Sequence, residues 1–249
     1  LAGGAVLCLL ASRHLTSLVR HLRIAGVGAL GVAAYQLGFF DATRRTGVAM
    51  ATVVTIGTSP LASRLIGAAR RRPAPAPLWY AAGSLILVGL VLLVVFGSDS
   101  IDVAPSGIIA AVIAGTAYAI YTECGALLID RGIDSTATMA GLFFGGGITA
   151  SPVLAFRTTS WVIEPRGALV LAYLAFVTLS LAYVAFGWGL RHLPPTTVVM
   201  LTLLEPVVAS LLAVVVLHEH LRIVGWLGGA LIVVAMPLVA RSSRTTVPT

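Results

Sequence analysis

The stretch "TLLEPVVASLL" (202–212) places a carboxylate, Glu205, within a long apolar run and follows it at once with Pro206. A charge at the centre of a bilayer costs about 3 kcal/mol on insertion scales, and such residues generally face a water-filled cavity and act there. Proline removes a backbone donor and frees a carbonyl one turn earlier, so the pair reads as a polar, bendable site. Thr202, one turn before Pro206, belongs with it. A second carboxylate, Glu123, stands in "YAIYTECGALLID" (118–130), with Thr116 seven residues before it on the same helical face. Two chemistries fit. The acids could bind an amino or other cationic group, or one could take up a proton in one access state and release it in the other, because low dielectric favours a neutral carboxyl. The alternative is a protonated, hydrogen-bonded and purely structural side chain.

Other residues could contribute. Thr52, Thr55, Ser59 and Ser63 recur at helical spacing beside Pro60, although Ser and Thr also join helices to one another in membranes. Pro60 and Pro206 are candidate hinges. Tyr35, Gln36 and Tyr183 are candidate cavity residues, whereas Trp188 and Trp226 fit an interfacial belt better. "HEH" (218–220) spaces its histidines by two, not the three or four of helical metal pairs, so no metal site is expected. Cys8 and Cys124 lie in apolar surroundings and suggest neither a disulfide framework nor zinc. "GLFFGGG" (141–147) lacks the lysine of a phosphate loop and reads as close helix packing. Asp41, beside Arg44 and Arg45, reads as locally paired.

The elements that must position these residues are membrane helices. Of 249 residues, 58% are hydrophobic and 10% charged, with a mean hydropathy of +1.01, where a soluble domain carries about a quarter charged. Apolar runs recur at about 24–41, 48–68, 78–96, 106–128, 137–156, 168–189, 196–217 and 223–240, each close to the length that crosses a bilayer as a helix. The chain begins at Leu1, and "LAGGAVLCLLAS" is read as the tail of a helix starting upstream. The net charge of +7 rests on arginine alone, for there is no lysine. Eleven of the sixteen arginines fall on one side when loops are taken alternately, which predicts that this side, and the C-terminus with it, is cytoplasmic. The loop holding Asp99 and Asp102 falls on the other side. Basic residues between apolar blocks report topology, so nucleic acid is not expected as a partner.

The chain also repeats itself. "RRTGVAMATVVTIGTSPLAS" (44–63) resembles "RHLPPTTVVMLTLLEPVVAS" (191–210), and at the offset matching Pro60 to Pro206, "GSLILVG" (83–89) matches "GALIVVA" (229–235). One basic pair is assigned outside and the other inside. Inverted copies of this kind are a transporter architecture with the substrate bound where the halves meet.

These residues resemble the EamA-type members of the drug/metabolite transporter superfamily. The segment "LRHLPPTTVVMLTLLEPVVASLLAVVVLHEHLRIVGWLGGALIVVA" (190–235) carries the resemblance, with Glu219 at the family's acidic position; the first repeat has "ARRRP" where the second has "LHEHL". The resemblance implies an all-α, polytopic transmembrane bundle of two inverted five-helix repeats, here 1–100 and 101–249, with the first helix and most of the second missing. It implies a secondary transporter that exports a small metabolite, such as an amino acid or analogue, across the bacterial inner membrane by alternating access. The alternatives are a sugar-phosphate or lipid-linked carrier of the same fold and a non-transporting membrane partner. Proton coupling is open, and the working unit is a monomer or a homodimer. No cofactor is expected, and a membrane-embedded enzyme is disfavoured because all five histidines fall in loops or at helix ends.

Overall fold

Backbone surrounded by lipid must satisfy its own hydrogen bonds, and long apolar runs do so as helices. The computed structural model describes residues 1–96, 104–156, 160–216, 218 and 220–244, and among these there are helices and no strand. In chain order the α-helices are α1 (Ala2–Leu10), α2 (Leu22–Ala69), α3 (Pro77–Leu90), α4 (Pro105–Asp130), α5 (Ser135–Ala150), α6 (Pro165–Tyr173), α7 (Ala182–His192), α8 (Pro195–Leu201), α9 (Glu205–Val216) and α10 (Ile223–Arg244). Proline opens α3, α4, α6 and α8, where its missing N–H is no loss. Asp134 caps α5 by accepting the Ala137 amide at 2.9 Å. Asp99, Asp102 and Glu219, which the sequence places in loops or at a helix end, lie outside the described residues.

Seven helical stretches are long and apolar enough to cross a membrane. The first, Leu15–Ala69, holds the two runs expected at 24–41 and 48–68, and the division falls at Gly47, with φ 74° and ψ 161°. Only glycine adopts that backbone without strain, so the sequence places the break. Just before it, Asp41 accepts from Arg44 at 3.2 Å and from Arg45 at 2.7 Å, the local pairing its position suggested. Two stretches depart from plain α-helix. Leu174–Leu181 is a π-helical segment joining α6 to α7, and Thr202–Leu204 is a 3₁₀ turn joining α8 to α9.

The helices form two compact units. One comprises Leu1–Leu37 and Ile120–Pro195. Here α5 packs on α1 and on α7, and the glycines of "GLFFGGG" face the start of α2: a Cβ on Gly146 would lie 2.7 Å from Val32 Cγ1. In the π-helical segment, Ser180 donates to Ala175 O at 2.6 Å and to Gly3 O at 3.2 Å.

The other unit comprises Gly38–Ala119 and Thr196–Thr249. Its core is built on Ile86, Leu90, Leu203 and Ile232, which are fully buried. There α3 and α10, whose sequences match at the repeat offset, pack directly on each other. A Cβ on Gly89 would meet Gly228 O at 2.7 Å, and one on Gly228 would meet Gly89 O at 2.5 Å. Each unit takes helices from both repeats.

Candidate functional site

The two candidate hinges sit in the second unit, and each shows how the chain treats a proline inside a membrane helix. Pro60 has no N–H for the Ile56 carbonyl one turn earlier. The Ser59 hydroxyl takes its place, donating to Ile56 O at 2.9 Å and to Thr55 O at 3.1 Å. Pro206 strands the Thr202 carbonyl in the same way, and the solution there is backbone. The helix tightens to the 3₁₀ turn Thr202–Leu204, and the Glu205 amide donates to Thr202 O. The Thr202 hydroxyl donates to Val199 O at 2.8 Å and accepts from the Tyr118 hydroxyl at 3.1 Å.

Thr55 and Ser59 are fully buried, and their hydroxyls are engaged with backbone carbonyls. Thr55 donates across to Ala111 O in α4 at 3.2 Å. The helices approach so closely that a Cβ on Gly115 would stand 2.4 Å from Thr55 O. Small and hydroxylated residues at a tight crossing are how membrane helices associate without a hydrophobic driving force between them.

The two carboxylates have different surroundings. Glu205 stands midway along Pro195–Val216, on the exposed surface of its unit. Pro206 and Val207 behind it are buried. Glu123 is 3% exposed, packed inside the other unit on α4. Their similar sequence contexts give no sign of this contrast.

Around α4 in the first unit lies an aromatic cluster. Tyr121 is fully buried, with its hydroxyl 3.2 Å from that of Tyr183. Tyr35 meets the Tyr121 ring edge-on, with centroids 6.1 Å apart. Phe143 stacks at a tilt on Tyr183 at 3.8 Å, and Phe186 is 5.5 Å from Tyr183. Tyr35 and Tyr183 are thus brought together, as candidate cavity residues should be, and Gln36 is half-buried beside Tyr35. Tyr121, Phe143 and Phe186 are not among the residues the sequence reading points to. A signal for two of them existed, because Tyr118/Tyr121 and Tyr183/Phe186 are spaced by three, as neighbours on a helix face are.

Apolar helices long enough to span, a broken helix bearing an exposed carboxylate, and small-residue crossings define a polytopic helical membrane protein of the carrier type. The model of the EamA-like transporter family matches residues 105–241. YwfM of Bacillus subtilis strain 168, described as an uncharacterized transporter, is 34% identical over 223 residues, covering 88% of this chain and 73% of that protein. YdeK of the same organism, described in the same way, is 30% identical over 196 residues, or 77% of this chain and 66% of that protein. The chain belongs to the EamA-like transporter family. A solved crystal structure matches with a TM-score of 0.81 over 98% of this chain and 85% of the other, and at 20% identity that likeness shows the fold.

Proposed function

We propose that this chain is the core of a secondary transporter that exports a small metabolite bearing an amino group, an amino acid or analogue, across the bacterial inner membrane. Family membership supports transport itself. The observation that carries the finer reading is the exposed carboxylate of Glu205 midway along an apolar span, next to a helix break. A carboxylate at that depth is stable where it meets water or a bound cation, not lipid tails. The 3₁₀ turn at Thr202–Leu204 and Pro206 give the helix a place to bend, which alternating access needs. Tyr35, Tyr183 and Tyr121 offer ring faces and hydroxyls of the kind that hold an organic cation. In this reading Glu205 binds the amino group or exchanges a proton between access states, Thr202 assists it, the C-terminus is cytoplasmic, and one chain is the working unit.

The test compares metabolites released by cells that carry the wild type, Glu205→Gln or an empty vector, with membrane insertion verified. Release by the wild type alone supports both the exporter and the role of Glu205. Equal release by wild type and variant, above the vector, removes Glu205 from the mechanism. Wild type matching the vector overturns export.

A further inference from the structure

The hairpin of α2 and α3 carries a groove that this transport reading does not use. The two helices run antiparallel, and the pairs Arg64/Tyr80, Leu61/Gly83 and Gly57/Leu87 step along their seam. Beside that seam is a cavity of about 80 Å³, lined by Gly57, Leu61, Trp79, Gly83, Leu87 and Met200 among others. Two glycines keep it open. A Cβ on Gly57 would reach Leu87 Cδ2 at 3.1 Å, and one on Gly83 would reach Met200 Cε at 2.9 Å. At the repeat offset the second hairpin has Leu203, fully buried, where the first has Gly57, and Ser210 where the first has Arg64.

The groove is graded along its length. At one end Arg64 Nε donates to the Tyr80 hydroxyl at 2.9 Å. That end adjoins the connection bearing Arg70, Arg71 and Arg72. Next comes Trp79, which is 3% exposed and whose Nε1–H has no acceptor among the described residues. Buried donors of this kind are nearly always paired. Beyond it the lining is apolar, bordered by the exposed side chains of Leu61, Leu65 and Val88.

We infer that this groove holds an anionic glycerophospholipid. The headgroup phosphate pairs with the Arg64 guanidinium, whose Nη groups have no acceptor among the described residues. An ester carbonyl accepts from Trp79 Nε1, and an acyl chain lies along Gly57, Leu61 and Leu87. The order cation, neutral donor, apolar trough is the order of phosphate, ester and chain in such a lipid. Trp and Tyr at this level match the headgroup boundary, and basic sites between membrane helices bind anionic headgroups. The inference stands apart from the substrate reading and survives its failure.

The test uses a chain in which Trp161, Trp188 and Trp226 are replaced by Phe, leaving Trp79 as the fluorophore. It is reconstituted with acyl-brominated phosphatidylglycerol or phosphatidylcholine diluted into unlabelled lipid. The expected result is quenching by the phosphatidylglycerol at about one-fifth the concentration needed for phosphatidylcholine, the ratio one arginine gives near an anionic headgroup. Arg64→Gln should bring the two lipids level. Gly57→Leu should raise the concentration needed of both, and native mass spectrometry of the unmutated chain should show the same preference as retained adducts. Equal quenching by the two lipids, an unchanged preference in Arg64→Gln, or displacement by millimolar inorganic phosphate would overturn the assignment. The last outcome would mark a soluble-anion site.

Discussion

If the Ser59 hydroxyl is there because Pro60 stranded a carbonyl, then removing the hydroxyl should matter only while the proline is present. In Ser59→Ala the Ile56 carbonyl loses the donor at 2.9 Å and lies buried beside Pro60. The Thr55 carbonyl, also touched by that hydroxyl, keeps its helical partner, the Ser59 amide. One orphaned carbonyl is therefore the whole loss. Leaving a buried acceptor unsatisfied costs about 1–3 kcal/mol in water-soluble proteins, and hydrogen bonds measured within a membrane average about 0.6 kcal/mol. We expect about 1 kcal/mol, which for a chain of this size lowers the melting temperature by about 2–4 °C.

The Pro60→Ala background supplies the control. That substitution restores an N–H to the Ile56 carbonyl, so adding Ser59→Ala there should cost about 0.5 kcal/mol or less, the worth of a supplementary bond. The four proteins form a double-mutant cycle with a coupling energy of about 0.5–1 kcal/mol, read as thermal or denaturant unfolding in one detergent. A Ser59→Ala cost that is the same in both backgrounds would refute the reasoning and make the hydroxyl a general packing group.

Three further outcomes follow from the same structure. Gly47→Ala should destabilise by about 1–3 kcal/mol, because alanine resists φ 74°. Gly26→Ala in the same helix, with as much open space, should be neutral or stabilise by about 1 kcal/mol through helix propensity; thermal unfolding of both variants tests the opposite signs. Gly115→Ala should lower the melting temperature and force α4 away from Thr55, by about 1–3 kcal/mol for an overpacked contact; Gly67→Ala, whose Cβ would have neighbours only at 3.9 Å or beyond, is the control. Asp41→Asn should leave the melting temperature unchanged at physiological salt, since exposed ion pairs contribute little.

The membrane fold was legible because its causes are local. Runs of apolar residues at bilayer length, prolines opening helices, and a glycine between two runs each act over a few positions. The break at Gly47 and the packing of "GLFFGGG" follow from residue size and backbone freedom alone. The aromatic cluster needed more. Tyr35, Tyr121, Phe143 and Tyr183 come from four separate helices, and nothing in the local sequence of any one reports the others. Burial was hidden for the same reason. Glu123 and Glu205 both sit in apolar sequence, yet one faces the packed interior of its unit and the other does not, because neighbours supplied from elsewhere decide it. The π-helical segment Leu174–Leu181 was likewise silent, since its wider turn serves contacts such as that of Ser180 with Gly3.

The repeat explains why the glutamate stands where it does. Ser59 and Glu205 occupy the same place, the residue before the proline, at the offset that matches Pro60 to Pro206. In the first copy the side chain at that place is committed, because its hydroxyl supplies the donor that proline removed. In the second copy the helix tightens and the backbone amide of the same residue does that work. The side chain is thereby released from a structural duty, and any residue that tolerates the 3₁₀ junction can occupy the position. A carboxylate there is then not a requirement of the fold. It follows that Glu205→Gln should preserve the melting temperature, even if transport is lost. Had Glu205 been the partner of the stranded carbonyl, as Ser59 is, stability and transport would fall together.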